Sequence, residues 1–172
     1  DPFFSSATHR FYHVGDEIGR HQKLDLLASD PLVREHLRVC WQDGTGPLNC
    51  GVCEKCLRTE VSLQLLGVRD QFPGFAREES LEDRLGRINP DVEAALEMWL
   101  VIRGQHLPPA METAFRSLFL RVLERGETLP DDYRGSESIL AAMAEFCGYR
   151  EAIIFQEPPS ASMHSRTKAG PE

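Results

Sequence analysis

The spacing of apolar residues changes along this chain. Over the first forty residues two periods are mixed. Phe11-Tyr12-His13-Val14 is a short β-prone run, and Leu37, Val39 and Trp41 alternate with His36, Arg38 and Cys40 as the two faces of a strand do. Between them, Glu17 to Ala28 carries Ile18, Leu24, Leu26 and Leu27, which predicts a helix. Asp30-Pro31 predicts a second, short helix, with Asp30 as N-cap and Pro31 at the first helical position, where a missing N–H costs nothing. The alternation from Leu37 requires that helix to stop early and places Cys40 on or just past a strand end. Asp43-Gly44-Thr45-Gly46-Pro47 is a loop by composition.

After Cys56 the helical period takes over. Leu57, Val61 and Leu65 share one face, and Gly67 marks a stop. Ser80 and Asp83 have the spacing of a capping box ahead of Leu81, Leu85 and Ile88. Asn89-Pro90 opens a helix bearing Val92, Leu96 and Trp99 and ending near Gly104. The strongest stripe is Met111, Ala114, Phe115, Leu118, Phe119, Val122 and Leu123, closed by Gly126; it reads as core or as a partner-facing helix. Ile139, Ala142, Met143 and Phe146 form the last, before Gly148. From Glu157 the sequence EPPSASMHSRTKAGPE has no apolar period and is expected to be disordered. No internal repeat is visible. The expected organisation is an α/β part over 1–67, a helical extension over 68–156 and a loose tail over 157–172.

Composition narrows the function classes. The 172 residues are 41% hydrophobic, enough to bury a core, with a mean hydropathy of −0.33. Lys and Arg number 19 against 27 Asp and Glu, a net charge of −8, so the surface as a whole repels a phosphate backbone and nucleic acid is not an expected partner. No apolar run is long enough to span a membrane. The opening residues DPFFSSATHR show no export signal and no initiator Met, so the expectation is a cytoplasmic piece of a longer protein.

The chemistry concentrates in RVCWQDGTGPLNCGVCEKCLRT, where Cys40, Cys50, Cys53 and Cys56 have the spacing C-x9-C-x2-C-x2-C. A C-x2-C step lets two thiolates converge on one ion, because its turn aims backbone N–H groups at the sulfurs. Clustered steps of this kind, without an export signal, point to a metal site in a reducing compartment rather than to disulfides. Zn²⁺ is the expected ion; held by four thiolates it is closed and structural, with no open position for a substrate. Gly51, directly after Cys50, suits a tight knuckle. A 4Fe–4S cluster is the competing cofactor, although the Cys-Pro that usually completes such runs is replaced by Leu57 and Arg58. Lys55, Arg58 and Arg38 are the nearby cations able to offset the −2 charge of a zinc tetrathiolate. Cys147 stands apart and reads as a small buried hydrophobe.

Other candidate groups are weaker. His9 and His13 lie in a β-prone run and share no helix face, and His36 is not needed beside a complete cysteine set. Asp16 and Glu17 could meet Mg²⁺, and Arg20 and Lys23, one turn apart, could touch a phosphate; solvated surface positions explain all four. No Ser-His-Asp set or G-x-S-x-G elbow is present.

Cys40 followed after a loop by Cys50-Gly51-Val52-Cys53-Glu54-Lys55-Cys56 and then Arg58 resembles the knuckle of the 7-cyano-7-deazaguanine synthase group, in the adenine nucleotide α-hydrolase (N-type ATP pyrophosphatase) superfamily. NCGVCEKCLRT is similar to strings in related bacterial proteins that carry the knuckle after a strand like LRVCW. The segment from Asp16 to Lys23 matches more loosely, and the resemblance spans residues 8–67. It implies a Rossmann-like (HUP-type) α/β fold that spends ATP to activate a carboxylate or similar oxygen of a small-molecule substrate. It also implies a structural zinc on Cys40, Cys50, Cys53 and Cys56. The superfamily's S-G-G-x-D-S phosphate loop is not in this sequence, nor is G-x4-G-K-[ST], so ATP and Mg²⁺ would need a segment before Asp1, and the chain alone is expected not to turn over ATP. The alternative is a zinc-stabilised protein-interaction module without catalytic activity. In either case the helical extension could pair two copies of the chain.

Overall fold

A computed structural model describes residues 6–10, 12, 18–42, 48–126 and 136–148. They form α1 (Arg20–Leu27), α2 (Pro31–His36), α3 (Glu54–Leu65), α4 (Leu81–Arg87), α5 (Val92–Ile102), α6 (Pro109–Glu124) and α7 (Ser136–Cys147), with single 3₁₀ turns at Arg69–Gln71 and Pro73–Phe75. Among the described residues there is no strand and no sheet. The Rossmann-like α/β portion expected over 1–67 is therefore overturned.

The physical reason lies in residues 37–41. Their alternation is real, but a strand needs a neighbouring backbone to pair with. Here the buried side chain of Asn49 takes that place. Its Oδ1 accepts from the N–H of Val39 (2.9 Å) and of Cys40 (3.3 Å), and its Nδ2 donates to the Leu37 carbonyl (2.8 Å). One amide group thus takes three backbone groups that a neighbouring strand would pair in a sheet. Of the run from Phe11 to Val14, only Tyr12 is among the described residues, and it is not in a strand.

The helices arise where their capping chemistry places them. Asp30 accepts from the Leu32 N–H at 2.8 Å and starts α2 at Pro31. Ser80 Oγ accepts from the Asp83 N–H (3.0 Å) and donates to Asp83 Oδ2 (2.7 Å) at the start of α4. The start of α5 moves from Asn89-Pro90 to Asp91, whose carboxylate accepts from the Ala94 N–H at 2.7 Å. At the end of α3, the Gly67 N–H reaches the Gln64 carbonyl and the Val68 N–H the Leu63 carbonyl, with Gly67 at φ +69°. That paired arrangement requires a left-handed residue, which glycine adopts without strain.

Helix α3 is the shared wall of two apolar clusters. Its Leu57 and Val61 join Leu85, Leu96, Phe115, Leu118, Phe119 and Met143 in the larger one. Trp99 meets Phe119 edge-on at 5.9 Å and Phe146 at 5.4 Å, which pins α5 against α6 and α7. On the other side Leu63 packs with Leu24, Ala28, Phe72 and Phe75. The cysteine cluster sits at the N-terminal end of this wall.

Candidate metal centre

Three local structures deliver the four sulfurs. Asn49 fixes the backbone at Cys40, as above. Next along the chain, Cys50 begins a turn in which the N–H groups of Cys53 (3.3 Å) and Val52 (3.5 Å) point at the Cys50 sulfur. Gly51 permits that turn: its φ is +72°, and a Cβ placed there would lie 2.5 Å from Nε of Arg77. Cys53 is then the N-cap of α3, and Cys56 follows in its first turn. Two of the ligands thus stand at the positive end of a twelve-residue helix, where negative charge is stabilised.

The sulfurs converge on one point. All four lie within 4.8 Å of one another, with Cys50–Cys56 at 3.8 Å, Cys53–Cys56 at 3.4 Å and Cys40–Cys53 at 4.0 Å. A tetrahedron of thiolates around one ion with bonds near 2.3 Å has edges of about 3.8 Å. None of the cysteines is in a disulfide, whose sulfurs would stand about 2 Å apart. The arrangement could therefore hold a single metal ion such as zinc. Among the described residues it is the one group of His, Cys, Asp or Glu side chains whose ligand atoms come together in this way.

Burial opposes ionisation at two of the four sulfurs. The Cys50 backbone amide lowers Cys40 to about 6, whereas burial pushes both Cys53 and Cys56 above the ordinary thiol value, Cys56 far above it. A nearby cation would favour the thiolate form at both.

The cations expected to supply that charge are engaged elsewhere. Lys55 lies over the Trp41 ring, 5.2 Å from its centre. Arg58 pairs with Glu54 at 3.0 Å and with Glu97. Arg38 donates to the Cys40 carbonyl at 3.3 Å and the Gln42 carbonyl at 3.1 Å, which braces the loop rather than its sulfur. Two arginines far along the chain take the knuckle instead. Arg77 Nε donates to the Cys50 carbonyl (3.4 Å), and Arg84 Nη1 to the Gly51 carbonyl (2.7 Å).

Arg84 is in turn held by a buried carboxylate. Its Nη1 and Nη2 donate to the two oxygens of Glu60 at 2.7 and 2.5 Å, its Nε to the Ser80 carbonyl at 3.2 Å, and Arg69 joins Glu60 at 2.8 Å. Glu60 is 0% exposed and Arg84 3%. Sequence reasoning missed both residues and Asn49. A signal existed: Glu60 lies on the Leu57–Val61 face, and Arg84 beside Leu81 and Leu85. Each is a charge on an apolar stripe.

The remaining candidates disperse. His9 contacts the Thr8 hydroxyl at 2.9 Å, and His36 is an exposed neighbour of Glu35; neither belongs to the sulfur cluster. His13, Asp16 and Glu17 lie outside the described residues. Arg20 and Lys23 line a groove of about 690 Å³ between the start of α1 and the end of α5, with His21, Arg103 and Glu97. Cys147 is half-buried against the Arg116 carbonyl, and burial raises its thiol to about 11.

No family model, curated protein or solved structure matches this chain. No helix among the described residues is long and apolar enough to cross a membrane.

Proposed function

We propose that the four cysteines bind one Zn²⁺ as a structural centre, and that the chain is a zinc-stabilised helical interaction module. The observation carrying this is the mutual approach of four sulfurs to within 4.8 Å. A 4Fe–4S cluster spreads its thiolates over four separate irons and needs them farther apart, so this spacing supports a single ion. Four thiolates complete a tetrahedron, which argues for an architectural role rather than activation of a water or substrate. When bound, the ion cross-links the Cys40 segment, the knuckle and the first turn of α3.

Trp41 and Val52, beside the ligands, stand 75% and 57% exposed. Large apolar side chains held in water by a rigid knuckle support an interaction role. The test is cobalt substitution followed by absorbance. Tetrahedral Co²⁺ on four thiolates gives intense visible and near-ultraviolet bands, lost on adding one equivalent of Zn²⁺. Weak octahedral bands would count against the site. The knuckle's likeness to that of 7-cyano-7-deazaguanine synthases supports a second reading, service to an ATP-dependent enzyme; an S-G-G-x-D-S loop encoded upstream of Asp1 would favour it.

A further inference from the structure

The buried Glu60–Arg84 pair is expensive to maintain. Removing a guanidinium and a carboxylate from water costs several kcal/mol each, and replacing such a pair with apolar residues is often neutral or stabilising. Helices α3 and α4 could pack without it, since Leu57, Val61, Leu81 and Leu85 already share one apolar cluster. The pair does something apolar residues could not: it aims a further, charged hydrogen bond at the Gly51 carbonyl, in the turn between Cys50 and Cys53.

We propose that Glu60 and Arg84 are positioning residues of the metal centre, holding the Gly51 turn ready for the ion, so that metal occupancy and the docking of α4 on α3 stabilise each other. This rests on the zinc reading above. Glu60 orients the guanidinium through two parallel hydrogen bonds, a geometry that fixes direction as well as distance. The Ser80 carbonyl holds Nε from behind, and Arg69 meets the remaining demand of Glu60. So held, Nη1 donates both to Glu60 and to the Gly51 carbonyl. Arg77 does the same, less closely, for the carbonyl of Cys50. Both cations rest on the backbone beside sulfurs that would carry a net −2 charge around Zn²⁺, so they favour the loaded state electrostatically as well.

Coupling must run both ways. If the turn is held better with Arg84 in place, the metal binds more tightly; equally, the metal holds Gly51 where Arg84 needs it. Loss of the ion would release the turn and leave a buried guanidinium short of an acceptor, loosening α4. Outer partners of metal ligands characteristically change affinity 10- to 100-fold.

The experiment compares zinc affinity, by competition with a chromophoric chelator, in the wild-type chain, the double variant Glu60→Leu/Arg84→Met, and Met111→Ala. The last opens a cavity in the same apolar cluster without touching Gly51. The expected result is an affinity about 10- to 100-fold lower in the double variant and unchanged in Met111→Ala. Wild-type affinity in the double variant, or equal losses in both, overturns the proposal. Should the double variant fail to fold, hydrogen exchange on the wild-type chain decides: chelation is expected to speed exchange of the amides of Leu85 to Ile88, and unchanged protection there overturns it. A wild-type chain that takes up no stoichiometric zinc would sink the zinc reading instead, a distinct outcome.

Discussion

Asn49 offers the sharpest test of how this chain does without a sheet. Replacing it with Ala removes three hydrogen bonds at once: two from the N–H groups of Val39 and Cys40, one to the Leu37 carbonyl. Each is worth about 0.5–1.5 kcal/mol net, and the backbone groups left behind are only partly shielded from water, so the loss should be about 2–4 kcal/mol. The cavity left by a fully buried side chain lies within that range. Since 1.4 kcal/mol is a factor of ten, the folded fraction falls by about 30- to 700-fold relative to the unfolded. Chemical denaturation of the zinc-saturated protein reads this directly. Asn49→Asp refines the test: it keeps the two acceptor bonds but turns an oxygen toward the Leu37 carbonyl, so it should also destabilise. A loss under about 0.5 kcal/mol for Asn49→Ala would refute the view that this side chain stands in for a strand.

Other expectations follow from single contacts. Gly51→Ala should lower the melting temperature by the equivalent of about 1–2 kcal/mol, because φ +72° disfavours an L-residue and the new Cβ would press on Arg77; calorimetry checks it. Cys53→Ser, which breaks both C-x2-C steps, should lower zinc content and loosen the residues around the knuckle; full occupancy with unchanged melting contradicts this. Cys147 should be alkylated about 10- to 100-fold more slowly at pH 7.5 than an ordinary thiol, since burial raises it to about 11 and the smaller thiolate fraction outweighs the greater nucleophilicity of each thiolate; timed labelling of the zinc-loaded protein and mass spectrometry measure it. The purified chain should show no ATP hydrolysis, as it contains no phosphate-cradling glycine loop.

The helices were legible where a local marker stands at one end. Ser80 with Asp83, Pro31 after Asp30, and Gly67, Gly104, Gly126 and Gly148 all act within a turn of themselves, and each of those four glycines has a positive φ. The metal ligands were legible for the same reason, since a C-x2-C step is a local geometry. The strand expected at Leu37 was not, because period-two alternation reports which way side chains face and says nothing of what satisfies the backbone. That partner was an amide ten residues downstream in the chain, immediately before Cys50. Arg84 escaped for the opposite reason of distance: it meets the knuckle 33 residues away, through packing no local pattern encodes. Lys55 and Arg58, near in sequence, were drawn off by Trp41, Glu54 and Glu97.

X-ray absorption at the zinc edge, on protein purified with its native metal and alongside the metal-to-protein ratio, probes the four-sulfur centre itself. The expected result is one zinc per chain and a single shell of four sulfurs near 2.3 Å. Substoichiometric metal, nitrogen or oxygen in that shell, or disulfides among Cys40, Cys50, Cys53 and Cys56 would contradict it.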